Sequence, residues 1–114
     1  MTDSMHLIAD LTCSKGLDDA QVAEAFMREV IEQTGLHIRH FHIQEFKNGS
    51  SFGPGITGMA LLSESHMVIH TAPERQALNI DLFSWKPFSG PVVHRIIDRT
   101  FDAFIVHRWE ILRR

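Results

Sequence analysis

The side chains best suited to chemistry lie between Ile56 and Trp85, where two apolar segments meet at Glu64-Ser65. A serine hydroxyl is a potential nucleophile, and His70, five residues later and expected on an adjacent strand, has an imidazole that can act as a general base. A strained peptide at a junction between strands is also easier to rearrange. In isolation, Ser65 is typical of a surface turn and His70 of a hydrogen-bonded strand histidine, so the pattern alone leaves both interpretations open.

Two segments that flank this stretch have the apolar spacing of helices. The first begins at Asp18 as N-cap, with Gln21 as its capping-box partner, and ends at Gly35. The second runs from Val92 to Phe101 and has a capping serine just before it, at position 89. Each predicted helix has one apolar face, so each must pack against another layer of structure.

Alternating or apolar runs predict six strands, and glycine, proline and serine predict loops at 47–55 and 87–91. The predicted strands are 6–13, 36–46, 57–63, 66–71, 77–85 and 104–112. The order β-α-β-β-β-β-α-β predicts an α+β fold, a two-layer sandwich of an antiparallel sheet with both helices on one face. The other sheet face would expose Met59 or Leu61, so we expect a homodimer or a higher homo-oligomer.

Composition predicts one globular domain over residues 1–114. A net charge of -3 does not favour nucleic acid as a partner, and the apolar runs are too short for a membrane span. The first four residues lack the basic and apolar regions of a secretory signal, and the single cysteine, Cys13, fits a reducing cytosol. We therefore expect a cytoplasmic protein in which Cys13 is a small buried residue.

The central motif resembles that of the prokaryotic S-adenosylmethionine decarboxylases, which are pyruvoyl-dependent proenzymes. The resemblance rests on an apolar strand that runs into Glu64-Ser65-His66, and on a second strand that ends in His70-Thr71-Ala72-Pro73-Glu74. The opening His6-Leu7-Ile8-Ala9-Asp10-Leu11 and the later Ile80-Asp81-Leu82-Phe83 are also similar to family segments. The resemblance covers nearly the whole chain and implies a decarboxylase of polyamine (spermidine) biosynthesis.

The resemblance implies that the chain cuts itself between Glu64 and Ser65 and that Ser65 becomes a pyruvoyl group. The ketone of that group would form a Schiff base with a small-molecule amine substrate. In the family, the histidine at the position of His70 takes the Cα proton during processing. A hydroxyl at the position of Thr57 assists, and the glutamate at the position of Glu74 binds the ribose of the substrate.

The sequence also departs from the family on the substrate side. Trp85 stands where the family has a proton-donating cysteine, Ala72 replaces a tryptophan of the adenine-binding region, and Phe46 or Phe52 would have to supply another aromatic. These changes suggest a substrate shifted to arginine or ornithine, with Trp85 filling the space that a nucleoside vacates. Glu74 or Asp81 would then pair with the cationic end of the substrate.

Three other interpretations stay open. The chain could decarboxylate S-adenosylmethionine itself with a substitute proton donor. It could be a non-catalytic relative that binds or regulates a partner, since the family cysteine is lost. It could also be a metal-binding module built on His37, His40 and His42 near Glu45, although a solvated strand edge explains these histidines more simply, and our expected site includes no metal.

Overall fold

A computed structural model of the protein describes residues 3–47 and 53–114, which form six strands and two α-helices. The elements are β1 (Met5–Cys13), α1 (Ala20–Gln33), β2 (Ile38–Phe46), β3 (Gly55–Leu62), β4 (Ser65–Ala72), β5 (Ala77–Ser84), α2 (Gly90–Phe101) and β6 (Ala103–Arg113), with a short 3-10 helix at Pro73–Arg75. The sheet has the order β2-β3-β4-β5-β1-β6, and all its pairings are antiparallel. The predicted α+β sandwich and its element order are confirmed.

The hydrophobic core lies between the two helices and one face of the sheet. Alternate residues of the central strands are buried on this face, as the period of a half-buried strand requires. Phe26 of α1 and Phe101 of α2 meet edge to face with ring centroids 4.9 Å apart. Gly58 of β3 faces Met27 so closely that a Cβ would collide with its sulfur atom. The helices therefore pack side by side on the same face, and the site residues stand on a rigid sheet.

The helix ends follow local chemistry, with one correction. The N-cap of α1 is Asp19, not Asp18, because Asp19 has the extended backbone and its carboxylate accepts from the amides of Gln21 and Val22. The predicted capping box of Asp18 and Gln21 is therefore wrong. The helix ends as predicted at Gly35, whose φ of 75° supplies the left-handed residue of a C-terminal cap.

The second sheet face carries no helix among the described residues. Met59 and Leu61 lie on it with 55% and 60% of their surfaces exposed, which confirms the predicted apolar exposure. Polar side chains of β1, β4 and β5 share this face, which we call the free face. In the described ranges, neither helix is long and apolar enough to cross a membrane.

Candidate active site

The Glu64-Ser65 peptide bond lies where β3 turns into β4. Leu62 and Ser65 are cross-strand partners, so Ser63 and Glu64 form a two-residue connection between the strands. Glu64 has φ 63°, a left-handed conformation that costs a residue with a side chain about 1–2 kcal/mol. The expected junction is confirmed, with Ser65 as the first residue of β4 rather than part of the turn. The peptide before Ser65 is thus held by the hairpin next to a strained residue.

The Ser65 side chain points towards the helix layer. Only 8% of the residue is exposed, and its cross-strand neighbour Ser84 is fully buried. The Ser65 hydroxyl accepts a long hydrogen bond of 3.4 Å from the backbone amide of Trp85. Because a bond of that length is weak, the hydroxyl is not committed to a structural role.

Thr57 and His70 form a pair at the other end of the same hairpin. They are direct cross-strand partners of β3 and β4, and the Thr57 hydroxyl lies 3.0 Å from His70 Nδ1. This hydrogen bond fixes the orientation of the imidazole. Both residues line a cavity of about 580 Å³, together with Phe46, Asn79 and others. A cavity of that size accommodates a small-molecule ligand.

The structure does not bring His70 to Ser65 within one chain. We expected His70 on a strand adjacent to that of Ser65, but both residues belong to β4. Five residues of strand separate them by roughly 17 Å, and the odd spacing places their side chains on opposite faces. Ser65 is buried towards the helices, whereas His70 is exposed on the free face.

Comparison with known proteins decides the family. The family model described as S-adenosylmethionine decarboxylase matches residues 5–114. The chain belongs to this family. Proteins named S-adenosylmethionine decarboxylase proenzyme are similar to it. The one from Moorella thermoacetica is 31% identical over 111 residues, covering 95% of this chain and 85% of the relative. The one from Thermosipho melanesiensis is 33% identical over 93 residues, covering 74% and 68%.

A solved structure has the same fold. The crystal structure of the adenosylmethionine decarboxylase from Aquifex aeolicus superposes with a TM-score of 0.77 at 20% sequence identity. The match covers 99% of this chain and 91% of that chain. At this identity the likeness supports the six-stranded antiparallel sheet with its two helices, and nothing finer.

The residues that we assigned to the substrate side are spread over the surface. Trp85 follows β5 directly and is half exposed beside Ser65, with its ring 6.0 Å from that of Phe83. Glu74 lies in the 3-10 helix, and its carboxylate lies against Gly53, one of the residues that line the cavity. Phe46 lines the cavity, whereas Phe52 lies outside the described residues.

The free face also carries a cluster of two histidines and one aspartate that was not predicted from the sequence of this member of the S-adenosylmethionine decarboxylase family. Asp81 Oδ1 lies 2.8 Å from His6 Nε2 and 3.1 Å from His66 Nε2. Asp81 is therefore already partnered, which makes it a poorer counter-ion for a basic substrate than we expected. Within residues 3–47 and 53–114, the alternative metal site of His37, His40 and His42 near Glu45 does not form a comparable group of three ligands. His42 bonds to Gln44.

Cys13 is not placed to take the role of the cysteine that the family resemblance puts at the position of Trp85. Cys13 is the last residue of β1, whereas Met5 at the other end of the strand pairs with Ser84, the neighbour of Trp85. Cys13 is also fully buried. Burial, with smaller contributions from the carboxylates of Asp98 and Asp102, raises the pKa of the Cys13 thiol from 9.0 to about 11. The thiol stays protonated and inaccessible near neutral pH, in agreement with the expected buried role.

Proposed function

We propose that the protein is a pyruvoyl-dependent decarboxylase that forms by self-cleavage between Glu64 and Ser65. The observation that carries this proposal is the position of that peptide bond, which follows a left-handed residue in a two-residue turn and precedes a serine with a weakly bonded hydroxyl. The relatives' name, proenzyme, supports the same conclusion. The residues present fit a pyruvoyl group, because Ser65 supplies all three of its carbons and starts a strand that holds the new terminus.

The proposed cleavage balances without an added oxidant. The Ser65 hydroxyl attacks the Glu64 carbonyl carbon, the peptide C–N bond breaks, and an ester forms. Removal of the Ser65 Cα proton then expels the Glu64 carboxylate and leaves a dehydroalanine. Addition of water releases ammonia and leaves a ketone at the start of the second fragment. The sum is one chain plus water giving Met1–Glu64, a pyruvoyl fragment that ends at Arg114, and ammonia.

The base for the elimination would come from a second copy of the chain. His70 is the histidine that the family resemblance assigns to this step, and it lies roughly 17 Å from Ser65 in its own chain. The midpoint between Ser65 and His70 on β4 lies between Met67 and Val68. A two-fold axis that lies between two packed free faces, perpendicular to β4 and directly over that midpoint, would place the His70 end of one copy beside the Ser65 end of the other.

The free face supports a homodimer of this kind. It exposes apolar side chains such as Met59 and Leu61, and a second sheet would remove that surface from water. It also presents the Thr57-His70 pair outward, where a partner can reach it. The Thr57 hydroxyl would hold the imidazole in the orientation that proton removal requires.

The pyruvoyl ketone would supply the electron sink that a decarboxylation needs when an amine substrate is bound. The cavity beside Thr57 and His70 would hold the substrate, and Glu74, whose carboxylate lies against Gly53 of the cavity lining, would accept hydrogen bonds from hydroxyl groups. The printed name of the relatives makes S-adenosylmethionine the first substrate to test. We place this activity in polyamine biosynthesis in the cytoplasm.

A second substrate class is favoured by one observation. Trp85, half exposed beside Ser65, stands where the family resemblance places the proton-donating cysteine, and its indole cannot act as a general acid. Its ring would fill space near the reacting centre and favour a smaller amine such as L-arginine or L-ornithine. A chain that has lost the proton donor could also be a non-catalytic partner of an active relative.

Carbon dioxide release distinguishes these proposals. The purified protein is incubated with carboxyl-labelled S-adenosylmethionine, L-arginine and L-ornithine in parallel, and Ser65→Ala is the matched control. Release from S-adenosylmethionine alone would discard the substrate shift, and release from a basic amino acid would establish it. A processed chain that is inactive on all three would favour the regulatory role, whereas activity in Ser65→Ala would contradict the pyruvoyl mechanism.

A further inference from the structure

His6, His66 and Asp81 form a compact cluster on the free face, away from the Thr57-His70 pair. The three residues come from neighbouring strands β1, β4 and β5, and their ligand atoms all lie within 4.8 Å of one another. Both imidazoles direct Nε2 at the same carboxylate oxygen. Neither cleavage nor substrate binding, as proposed above, uses these three side chains.

Phe83 holds the two imidazoles in place. It is the cross-strand partner of His6 on β1 and of His66 on β4, so the three rings stand in one row across the sheet. The His66 ring stacks on Phe83 at 5.8 Å, and the His6 ring meets it edge to face at 5.7 Å. Asp81 lies two residues before Phe83 and therefore on the same face. The cluster is thus organised by rigid strands and aromatic packing, as a ligand set requires.

We infer that His6, His66 and Asp81 bind one divalent transition-metal ion of the zinc class. Two imidazole nitrogens and a carboxylate oxygen are a common ligand set for such ions. A tetrahedral ion with ligand bonds of about 2.0–2.1 Å needs ligand atoms about 3.3 Å apart. Asp81 Oδ1 lies 2.8 Å from His6 Nε2 and 3.1 Å from His66 Nε2, so small rotations of these side chains bring the ligand atoms to the separation that the ion needs.

The charges of the cluster also favour a cation. With both histidines neutral, the cluster carries the single negative charge of Asp81, and no Lys or Arg forms an ion pair with Asp81 in the described ranges. Each imidazole can move its one proton from Nε2 to Nδ1, so the metal would not have to displace a net proton. The partial exposure of His66 and Asp81 leaves an open side for water or for a group of a second copy.

Metal binding is tested on the untagged full chain in its own oligomeric state, after chelator treatment. Zn²⁺ is titrated by calorimetry, and Co²⁺ is added as a spectroscopic probe, with Mg²⁺ as a comparison that prefers oxygen ligands. We expect one Zn²⁺ per chain and a visible Co²⁺ absorption band typical of a four-coordinate site. The uncleavable variant Ser65→Ala should bind in the same way, so the result does not depend on self-cleavage.

Single substitutions test whether the residues of the cluster bind the Zn²⁺ ion. His66→Gln and Asp81→Asn keep the size of each side chain and should each weaken Zn²⁺ binding by about 10- to 100-fold or more. His42→Gln is the matched control, because His42 lies on the same face two strands away and bonds only to Gln44 in the described structure. Unchanged circular dichroism verifies the folding of each variant.

The opposite results overturn the proposal. Less than one Zn²⁺ per two chains at micromolar affinity would show that the cluster is only a hydrogen-bond network. Binding that survives both His66→Gln and Asp81→Asn, or that His42→Gln reduces equally, would place the ion elsewhere. Either outcome removes the site from this cluster, whatever the outcome for cleavage.

Discussion

Self-cleavage should occur across the interface of two copies, and a mixture of two inactive variants tests this directly. Ser65→Ala removes the attacking hydroxyl, whereas His70→Ala removes the proposed base. Each variant alone should stay uncut, because loss of a general base slows proton transfer by about 10²- to 10⁴-fold. In a mixed dimer, the Ser65 of the His70→Ala copy meets the His70 of the other copy, so that one of the two sites is complete.

The expected yield follows from symmetry. Random assembly of equal amounts of the two variants makes about half of the dimers mixed, and each mixed dimer cuts its His70→Ala chain. About half of the His70→Ala chains should therefore be cleaved, and none of the Ser65→Ala chains. Co-expression followed by mass spectrometry gives both fractions, since the two variants differ in mass.

A matched control and a clear refutation complete the test. In the control mixture, the double variant Ser65→Ala/His70→Ala is used in place of Ser65→Ala. Neither copy then carries His70, so the mixture of this double variant with His70→Ala should remain uncut. If the mixture of single variants also remains uncut, although size-exclusion chromatography shows that it is dimeric, His70 does not act across the interface. Full cleavage of His70→Ala on its own would show that His70 is not the base at all.

Three further predictions concern single residues. Thr57→Val should slow cleavage by about five- to tenfold, because it removes a hydrogen bond to His70 worth about 1 kcal/mol, and Thr57→Ser should restore the rate measured by the appearance of fragments. The free energy of unfolding should fall as the pH rises from 9 to 11, because the Cys13 thiol keeps its proton in the folded state, where its pKa is about 11, after the unfolded chain has lost it. Urea unfolding should show a decrease in this free energy that approaches about 3 kcal/mol and that disappears in Cys13→Ala. Gly58→Ala should lower the free energy of unfolding by about 1–3 kcal/mol, because the new methyl group collides with Met27, and unchanged stability would show that the core yields there.

The fold was predictable because its signals are local. The capping serine of α2, Ser89, and the glycine after α1, Gly35, each act within a few residues, and both ends form as predicted. The cap of α1 was misplaced by one residue because Asp18 and Asp19 offer the same side chain. Only the backbone conformation distinguishes these two residues, and composition does not reveal that conformation.

The site was less predictable because it depends on long-range placement. Strand periodicity alone predicts that the side chains of Ser65 and His70 point to opposite faces of the sheet if both residues belong to one strand, because they are five residues apart. The error lay in assuming that His70 stands on a neighbouring strand. The His6-His66-Asp81 cluster needed the sheet order itself, because His6 and Asp81 are 75 residues apart and meet only when β1 pairs with β5.

The intact mass of the purified full chain tests the central proposal most directly. Cleavage as proposed gives two fragments, Met1–Glu64 and a second fragment ending at Arg114, and the second is lighter than a fragment with an intact N-terminal serine by the mass of one ammonia. Ser65→Ala should give a single uncut chain. A single uncut chain from the unmodified protein, or a second fragment that begins with an intact serine, would contradict the formation of a pyruvoyl group at Ser65.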